Sequence, residues 1–276
     1  MELNDVLNTD RLVGLRPLHM DDENSVGFKK RAHLLRYFDF LVSVSQFFGF
    51  LMLVLTGYYF SIIDHGFQWG ADGVAPGMAS HGFGNVNYHG LFMTIGFIFF
   101  QGEALLSYRL YRHEPKLMSK CIHAAFHIGA VVLVTFAMIA IVNHKNLGAA
   151  RIQHMYSIHS WIGVGIISVF LVQLFLGFSA FFFPKASRDL RRKFLPIHRT
   201  VGFISFSASL AQVVIGNQSY QAILSNNCSD TLSCPDHRFL IQNFAMIATV
   251  LYGISIIVLC VNPNWRRAPT PDEKEA

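Results

Sequence analysis

The chain has 276 residues, of which 52% are hydrophobic and 14% charged. An ordinary soluble domain carries roughly 25% charged residues, so a soluble fold could not cover its surface, and disorder is excluded because it needs low hydrophobicity. The formal net charge is nonetheless +5, and four cysteines are too few for a disulfide scaffold.

Residues 1–36 are polar, carry mixed charge and read as a loosely ordered tail. Six apolar stretches follow, near 37–63, 88–110, 121–143, 156–183, 198–216 and 239–261. Each approaches or exceeds the ~20 residues that cross ~30 Å of hydrocarbon. The fifth is the shortest and has room to extend at either end. The first lies too far inside the chain for a cleaved signal peptide. The expected organisation is an N-terminal tail (1–36), a six-helix domain (37–261) and a C-terminal tail (262–276).

Basic residues orient the spans. Lys145, Arg151 and Arg238 fall on one side, and the other Lys and Arg fall on the opposite side. Cytoplasmic loops retain positive charge. An integral multi-pass protein with both termini cytoplasmic is therefore expected. Charges that flank spans argue against a nucleic-acid partner; the partner is the lipid bilayer. The loop after the fifth span holds Cys228 and Cys234, close enough for a short-loop disulfide, and two glycosylation patterns at Asn217 and Asn227. Both features suit an oxidising exoplasmic side. Cys121 and Cys260 lie in spans and read as small packing residues.

There are 13 histidines. Those in the tail and loops (His19, His33, His65, His81, His113, His154, His237) read as solvated. Four others each stand near the N-terminal end of a span: His89, His123, His159 and His198. Consecutive spans run antiparallel, so His89 and His159 fall at the exoplasmic level and His123 and His198 at the cytoplasmic level. Ionisable groups inside a membrane are costly and functional by default. Two imidazoles facing across a bundle suit six-coordinate haem iron. His127 lies one turn after His123; it is either the ligand in place of His123 or a hydrogen-bonding neighbour of a haem propionate or substrate.

The fourth span carries His159, Gly163, Gln173 and Gly177, and the fifth carries His198, Gly202, Gln212 and Gly216. The offsets are the same, and at 3.6 residues per turn each set forms one stripe. Gly177 should reach the depth of the cytoplasmic pair and Gly216 that of the exoplasmic pair. Either the glycines admit a flat macrocycle or they are ordinary small-residue helix contacts. Lys116, Lys120, Arg109 and Arg191 either only signal topology or attract an anionic donor. His127 is a candidate base for such a donor. Glu103 accepts a hydrogen bond or anchors a basic residue.

The segments YHGLFMTIGFIFFQGEALLSYR (88–109), KLMSKCIHAAFH (116–127), MYSIHSWIG (155–163) and LPIHRTVGF (195–203) resemble the cytochrome b561 family of ascorbate-dependent transmembrane reductases. The likeness covers about residues 40–260. It implies an all-α membrane protein with six transmembrane helices, the central four holding two b haems, and a homodimer. His123 and His198 then hold the cytoplasmic haem iron, and His89 and His159 the exoplasmic one. Lys116, Lys120 and Arg191 match the ascorbate-binding positions, with Lys116, Lys120 and His127 nearest the chemistry. Arg109 matches a haem-contacting position. Tyr156 and His144 stand on the acceptor side, Tyr156 counting among the cofactor contacts and His144 among the substrate contacts. The sequence departs from the family in a longer loop between His144 and His159, a longer N-terminal tail and no acidic residue after Gly216.

The implied activity is electron transfer from cytoplasmic ascorbate to exoplasmic monodehydroascorbate. Transmembrane ferric or cupric reduction is the alternative, with a ferric chelate as acceptor. A non-redox membrane protein, its histidines only cross-linking helices, is the third reading. The membrane itself is left open among vesicle, endolysosome and plasma membrane.

Overall fold

The computed structural model describes residues 22–63, 66–69, 85–146, 153–224 and 237–266, with side chains from His33 onward. The chain divides into two compact units, Met1–Phe40 and Leu41–Ala276. Six helices are long and apolar enough to cross a membrane, and no strand occurs among the described residues. The chain is an all-α integral membrane protein.

The helices are α1 (Asp22–Ile62), α2 (Asn85–Leu110), α3 (Lys116–Asn146), α4 (Ile158–Phe181), α5 (Arg188–Leu224) and α6 (His237–Val261). Two differ from the apolar stretches that announce them. Helix α1 begins at Asp22, well before residue 37, because Asp22 and Glu23 suit a helix N-terminus and the Lys and Arg that follow are good helix formers. Helix α5 extends outward at both ends, and its added N-terminal turns are basic. Pro196 stands inside it.

Local chemistry sets the starts of the other helices. Pro115 precedes α3, where its fixed φ favours a first turn. Ser157 caps α4 by accepting the Ser160 N–H at 3.2 Å, which fixes the turn that carries His159. Helix α2 contains a π-helical stretch, Thr94–Phe100. That wider turn resets the face presented on either side of it. Asn85 and Asn87 are buried before it, and Gln101, Ala104 and Ser107 after it.

Helix α2 packs along α3, and α4 packs along α5. The two pairs face each other through α2 and α5, and α6 covers α2 and α5 from outside. Midway along the bundle, Phe97, Ala130, Val134, Ile166 and Phe170 form an apolar cluster. Phe97 and Phe170 meet edge to face at 5.0 Å, a favourable aromatic geometry.

Polar side chains fasten the outer helices. The Asn87 amide nitrogen shares its two hydrogens among the carbonyls of Phe60 (3.1 Å), Ile63 (2.9 Å) and Gly66 (2.7 Å), at and just beyond the end of α1. Tyr220 donates to the same side chain at 2.9 Å. Glu103 accepts from the Gln46 amide at 2.8 Å and the Tyr252 hydroxyl at 3.0 Å. It therefore takes hydrogen bonds from α1 and α6. Tyr252 also reaches the Phe99 carbonyl at 3.1 Å, and a Cβ on Gly49 would lie only 3.1 Å from its ring. Tyr252→Phe keeps the packing and removes the hydroxyl. Polar bonds inside a membrane bundle are worth about 0.6 kcal/mol on average. A loss of about 1 kcal/mol is expected, read as a lower midpoint of thermal unfolding in detergent.

Cys260 is buried and Cys121 faces outward. Asn217 is 8% exposed within α5 and accepts from Gln242 at 2.7 Å, so this glycosylation pattern is a buried helix contact. Asn227, the Cys228–Cys234 pair, His19, His65, His81, Arg151 and most of both tails lie outside the described residues.

Candidate metal centres: two facing histidine pairs

The four histidines come together in two pairs. His89 of α2 faces His159 of α4, with ring centroids 6.4 Å apart. His123 of α3 faces His198 of α5 at 6.3 Å. A metal–imidazole bond of about 2 Å on each side, with a ring radius of about 1 Å, spaces two facing rings by about 6 Å. Both pairs thus have the separation that one bound metal requires.

The outer ring nitrogens also fit. His89 Nδ1 lies 3.0 Å from the Ala137 carbonyl, and His123 Nδ1 lies 2.8 Å from the Ala104 carbonyl. A carbonyl can only accept, so each Nδ1 carries the proton. Nε2 is then the lone-pair nitrogen, as metal-ligating histidines require. Ala137 and His123 mark the two levels on α3. Fourteen residues at ~1.5 Å each separate them by ~21 Å. The apolar cluster of Phe97 and Phe170 lies between.

Helices α4 and α5 support the pairs reciprocally. The Gln173 amide of α4 donates to the backbone carbonyl of His198 on α5 at 2.5 Å. The Gln212 amide of α5 donates to the backbone carbonyl of His159 on α4. A Cβ on Gly177 would lie 2.7 Å from His198 Cε1, and one on Gly216 would lie 2.5 Å from His159 Cε1. Each glycine thus sits at the expected depth, and its missing Cβ makes room for a histidine ring. The stripe was visible in the sequence; the hydrogen bonds of the glutamines were not, because equal offsets do not say which helix they meet.

His127 lies one turn deeper than His123, with ring centroids 4.5 Å apart. Its ring lies tilted beside that of Phe170 at 5.5 Å, and its Nδ1 is buried without a partner. It therefore lies between His123 and the midplane cluster. Aromatic rings wall the His123–His198 level: Tyr108 lies 5.2 Å from His123, and Phe181 and Phe194 lie 5.3 and 5.9 Å from His198. None of these three was singled out from the sequence, where 26 phenylalanines and 9 tyrosines hide any particular one.

The basic residues gather at the same end. Lys120 donates to the Phe181 carbonyl at 2.9 Å, bridging α3 to the end of α4. Lys116 is exposed at the start of α3. Arg109 donates to the Cys260 carbonyl while its Nη1 is buried without a partner, and Arg191 Nε is likewise buried and unpartnered. Two orphaned guanidinium nitrogens at one end of the bundle suit an anion. At the other end, His144 and Lys145 lie within electrostatic reach of His89. Tyr156, three residues before His159, is 84% exposed.

Comparison with known proteins agrees with this geometry. The profile of eukaryotic cytochrome b561 matches residues 88–223, the segment that holds all four paired histidines. A human protein named transmembrane ascorbate-dependent reductase CYB561 is 30% identical over 238 residues, covering 86% of this chain and 88% of the relative. A CYB561 homolog of Caenorhabditis elegans is 30% identical over 246 residues, with 87% and 89% covered. A Xenopus laevis protein named plasma membrane ascorbate-dependent reductase CYBRD1 is 32% identical over 250 residues, with 86% and 83% covered. With six spans, two facing histidine pairs and relatives matched along most of their length, the chain belongs to the cytochrome b561 family, a family of haem b proteins.

Proposed function

We propose that the protein carries single electrons across a membrane from ascorbate on the cytoplasmic side to monodehydroascorbate on the exoplasmic side. The observation that carries this reading is the pair of histidine couples at metal-bridging separation, one toward each end of a membrane bundle. His123 and His198 hold one haem b and His89 and His159 the other, and the bound iron supplies one-electron exchange between its ferric and ferrous states. The same reading includes both termini in the cytoplasm and a homodimer.

The chain's own residues supply the rest. At the cytoplasmic end, Arg191, Lys116 and Lys120 draw the ascorbate anion toward the His123–His198 level. Ascorbate gives up one electron there and releases one proton to the cytoplasmic water. On the exoplasmic side monodehydroascorbate takes up one electron, and one proton from the exoplasmic water, beside His144. Between the two levels, Phe97 and Phe170 close the bundle against water. His127, between His123 and Phe170, stands where the ascorbate-facing level meets this interior.

Single-turnover oxidation of the ascorbate-reduced protein tests the acceptor. Monodehydroascorbate should oxidise it faster than a ferric chelate; the reverse order identifies a ferric reductase. Arg191→Leu tests the donor end. Charge-assisted hydrogen bonds contribute about 1.5–3 kcal/mol, so KM for ascorbate should rise about 10- to 100-fold while the haem spectrum stays unchanged. An unchanged KM removes Arg191 from the ascorbate site.

A further inference from the structure

The reciprocal support of the two pairs is not symmetrical. Gln173 reaches only the backbone of His198, and His198 Nδ1 is buried without a partner. Gln212 reaches the backbone of His159 and also its ring, with the amide nitrogen 2.8 Å from Nδ1. At the His89–His159 level both rings therefore have an Nδ1 partner, Ala137 and Gln212. At the His123–His198 level only His123 has one, the Ala104 carbonyl. The glutamines occupy the same place in the two stripes, so the difference lies in where their side chains end.

We propose that Gln212 is a positioning residue that holds the His159 ring and sets the reduction potential of the exoplasmic haem. The proposal rests on the di-haem reading above. With iron on Nε2, His159 keeps its proton on Nδ1 and needs an acceptor there. Gln212 Oε1 is buried without a partner. A half-turn of the amide turns its oxygen toward Nδ1, and the side chain must also draw back from the His159 carbonyl that the amide nitrogen now meets, because two oxygens cannot share that contact. With iron on Nε2, the bond to the His159 carbonyl would be given up for one from the Nδ1 proton to the amide oxygen. An acceptor on Nδ1 makes the imidazole a stronger donor to iron. A stronger donor stabilises the ferric state and lowers the potential, hydrogen bonding to axial ligands being one of the protein's means of tuning haem. The exoplasmic haem thus becomes the better reductant toward its acceptor, while His198 leaves the cytoplasmic haem without this contribution.

The test is spectropotentiometric titration of the full-length holoprotein in detergent, with the ferric haems resolved by their electron paramagnetic resonance signals. His89→Leu, which keeps only the cytoplasmic haem, assigns them. Gln212→Leu should make the exoplasmic haem easier to reduce, with about a tenfold shift in its reduction equilibrium, equivalent to about 59 mV for one electron. The cytoplasmic haem should not move. Gln173→Leu should leave the exoplasmic haem where it was. Gln212→Glu retains an acceptor on Nδ1 and should leave the potential unchanged or lower it. An unmoved exoplasmic potential in Gln212→Leu overturns the proposal, and so does an equal shift in Gln173→Leu. If Gln212→Leu loses the exoplasmic haem, Gln212→Glu decides: a retained haem at or below the wild-type potential supports the proposal, and a raised potential or a lost haem overturns it. A wild-type chain with fewer than two haems overturns the di-haem reading itself.

Discussion

A His123→Leu protein is expected to bind one haem b per chain instead of two and to lose reduction by ascorbate. Leucine fills most of the volume of the imidazole and offers no lone pair, so His198 is left facing a hydrocarbon. Its Nδ1 has no partner to hold the ring. The His89–His159 pair keeps both rings and both Nδ1 contacts, so on the proposed di-haem reading its haem should remain, oxidised and out of reach of a donor at the other end of the bundle. His89→Leu should give the opposite result: one haem, reduced by ascorbate but unable to pass its electron to an exoplasmic acceptor. Haem per chain by pyridine haemochrome and the ascorbate-reduced absorbance check both. The neighbouring His127 sharpens the test. If His123→Leu retains two haems and His123→Leu/His127→Leu retains one, His127 is the ligand.

The spans were legible because length and hydropathy are additive along the chain, and a helix crossing a membrane must satisfy its backbone internally. Helix ends were less so. The basic first turns of α5 and the polar first turns of α1 are helical for reasons of propensity and charge rather than hydropathy. The π-helical turn in α2 had no signal, since Thr94–Phe100 is an apolar run like its neighbours. The histidine pairs were legible because antiparallel spans fix the depth of each helix start. His123 and His127 could not be separated by spacing alone; the structure favours His123 by its 6.3 Å approach to His198 and its Nδ1 bond to Ala104. Glu103 remained ambiguous between a hydrogen bond and a basic partner because its partners, Gln46 and Tyr252, lie far away in sequence.

The glycines taught a related lesson. Equal offsets placed Gly177 and Gly216 at the right depths but left two causes open, a flat cofactor against the helix or close helix packing. The structure gives a third: each glycine is cut away for the histidine of the neighbouring helix. Glycine, glutamine and histidine on α4 and α5 therefore work as one reciprocal unit, in which each helix holds the ligand of the other. A single helix could not do this, because a ligand at one end of a helix is supported from the far end of its antiparallel neighbour.

That reciprocity makes a small substitution costly. In Gly216→Ala the new methyl would stand 2.5 Å from His159 Cε1 and 3.0 Å from Nδ1, against about 3.5–4.0 Å for carbon atoms in comfortable contact. The methyl is fixed to a helix backbone, so the ring must move by about 1 Å, twice the ~0.5 Å that a functional constellation tolerates. It cannot move freely, since Gln212 binds it from α5 and His89 faces it across the bundle. Haem affinity at this level should fall about 10- to 100-fold. Gly177→Ala should do the same at the other level, where the methyl would stand 2.7 Å from His198 Cε1. Gly165 lies on α4 with nothing within 4 Å of its would-be Cβ, so Gly165→Ala should retain both haems. Haem retained per chain after gel filtration separates the three variants. Two haems in Gly216→Ala at wild-type affinity would show that the ring yields more easily than its contacts imply; loss in Gly165→Ala as well would trace the effect to helix packing instead of to the histidines.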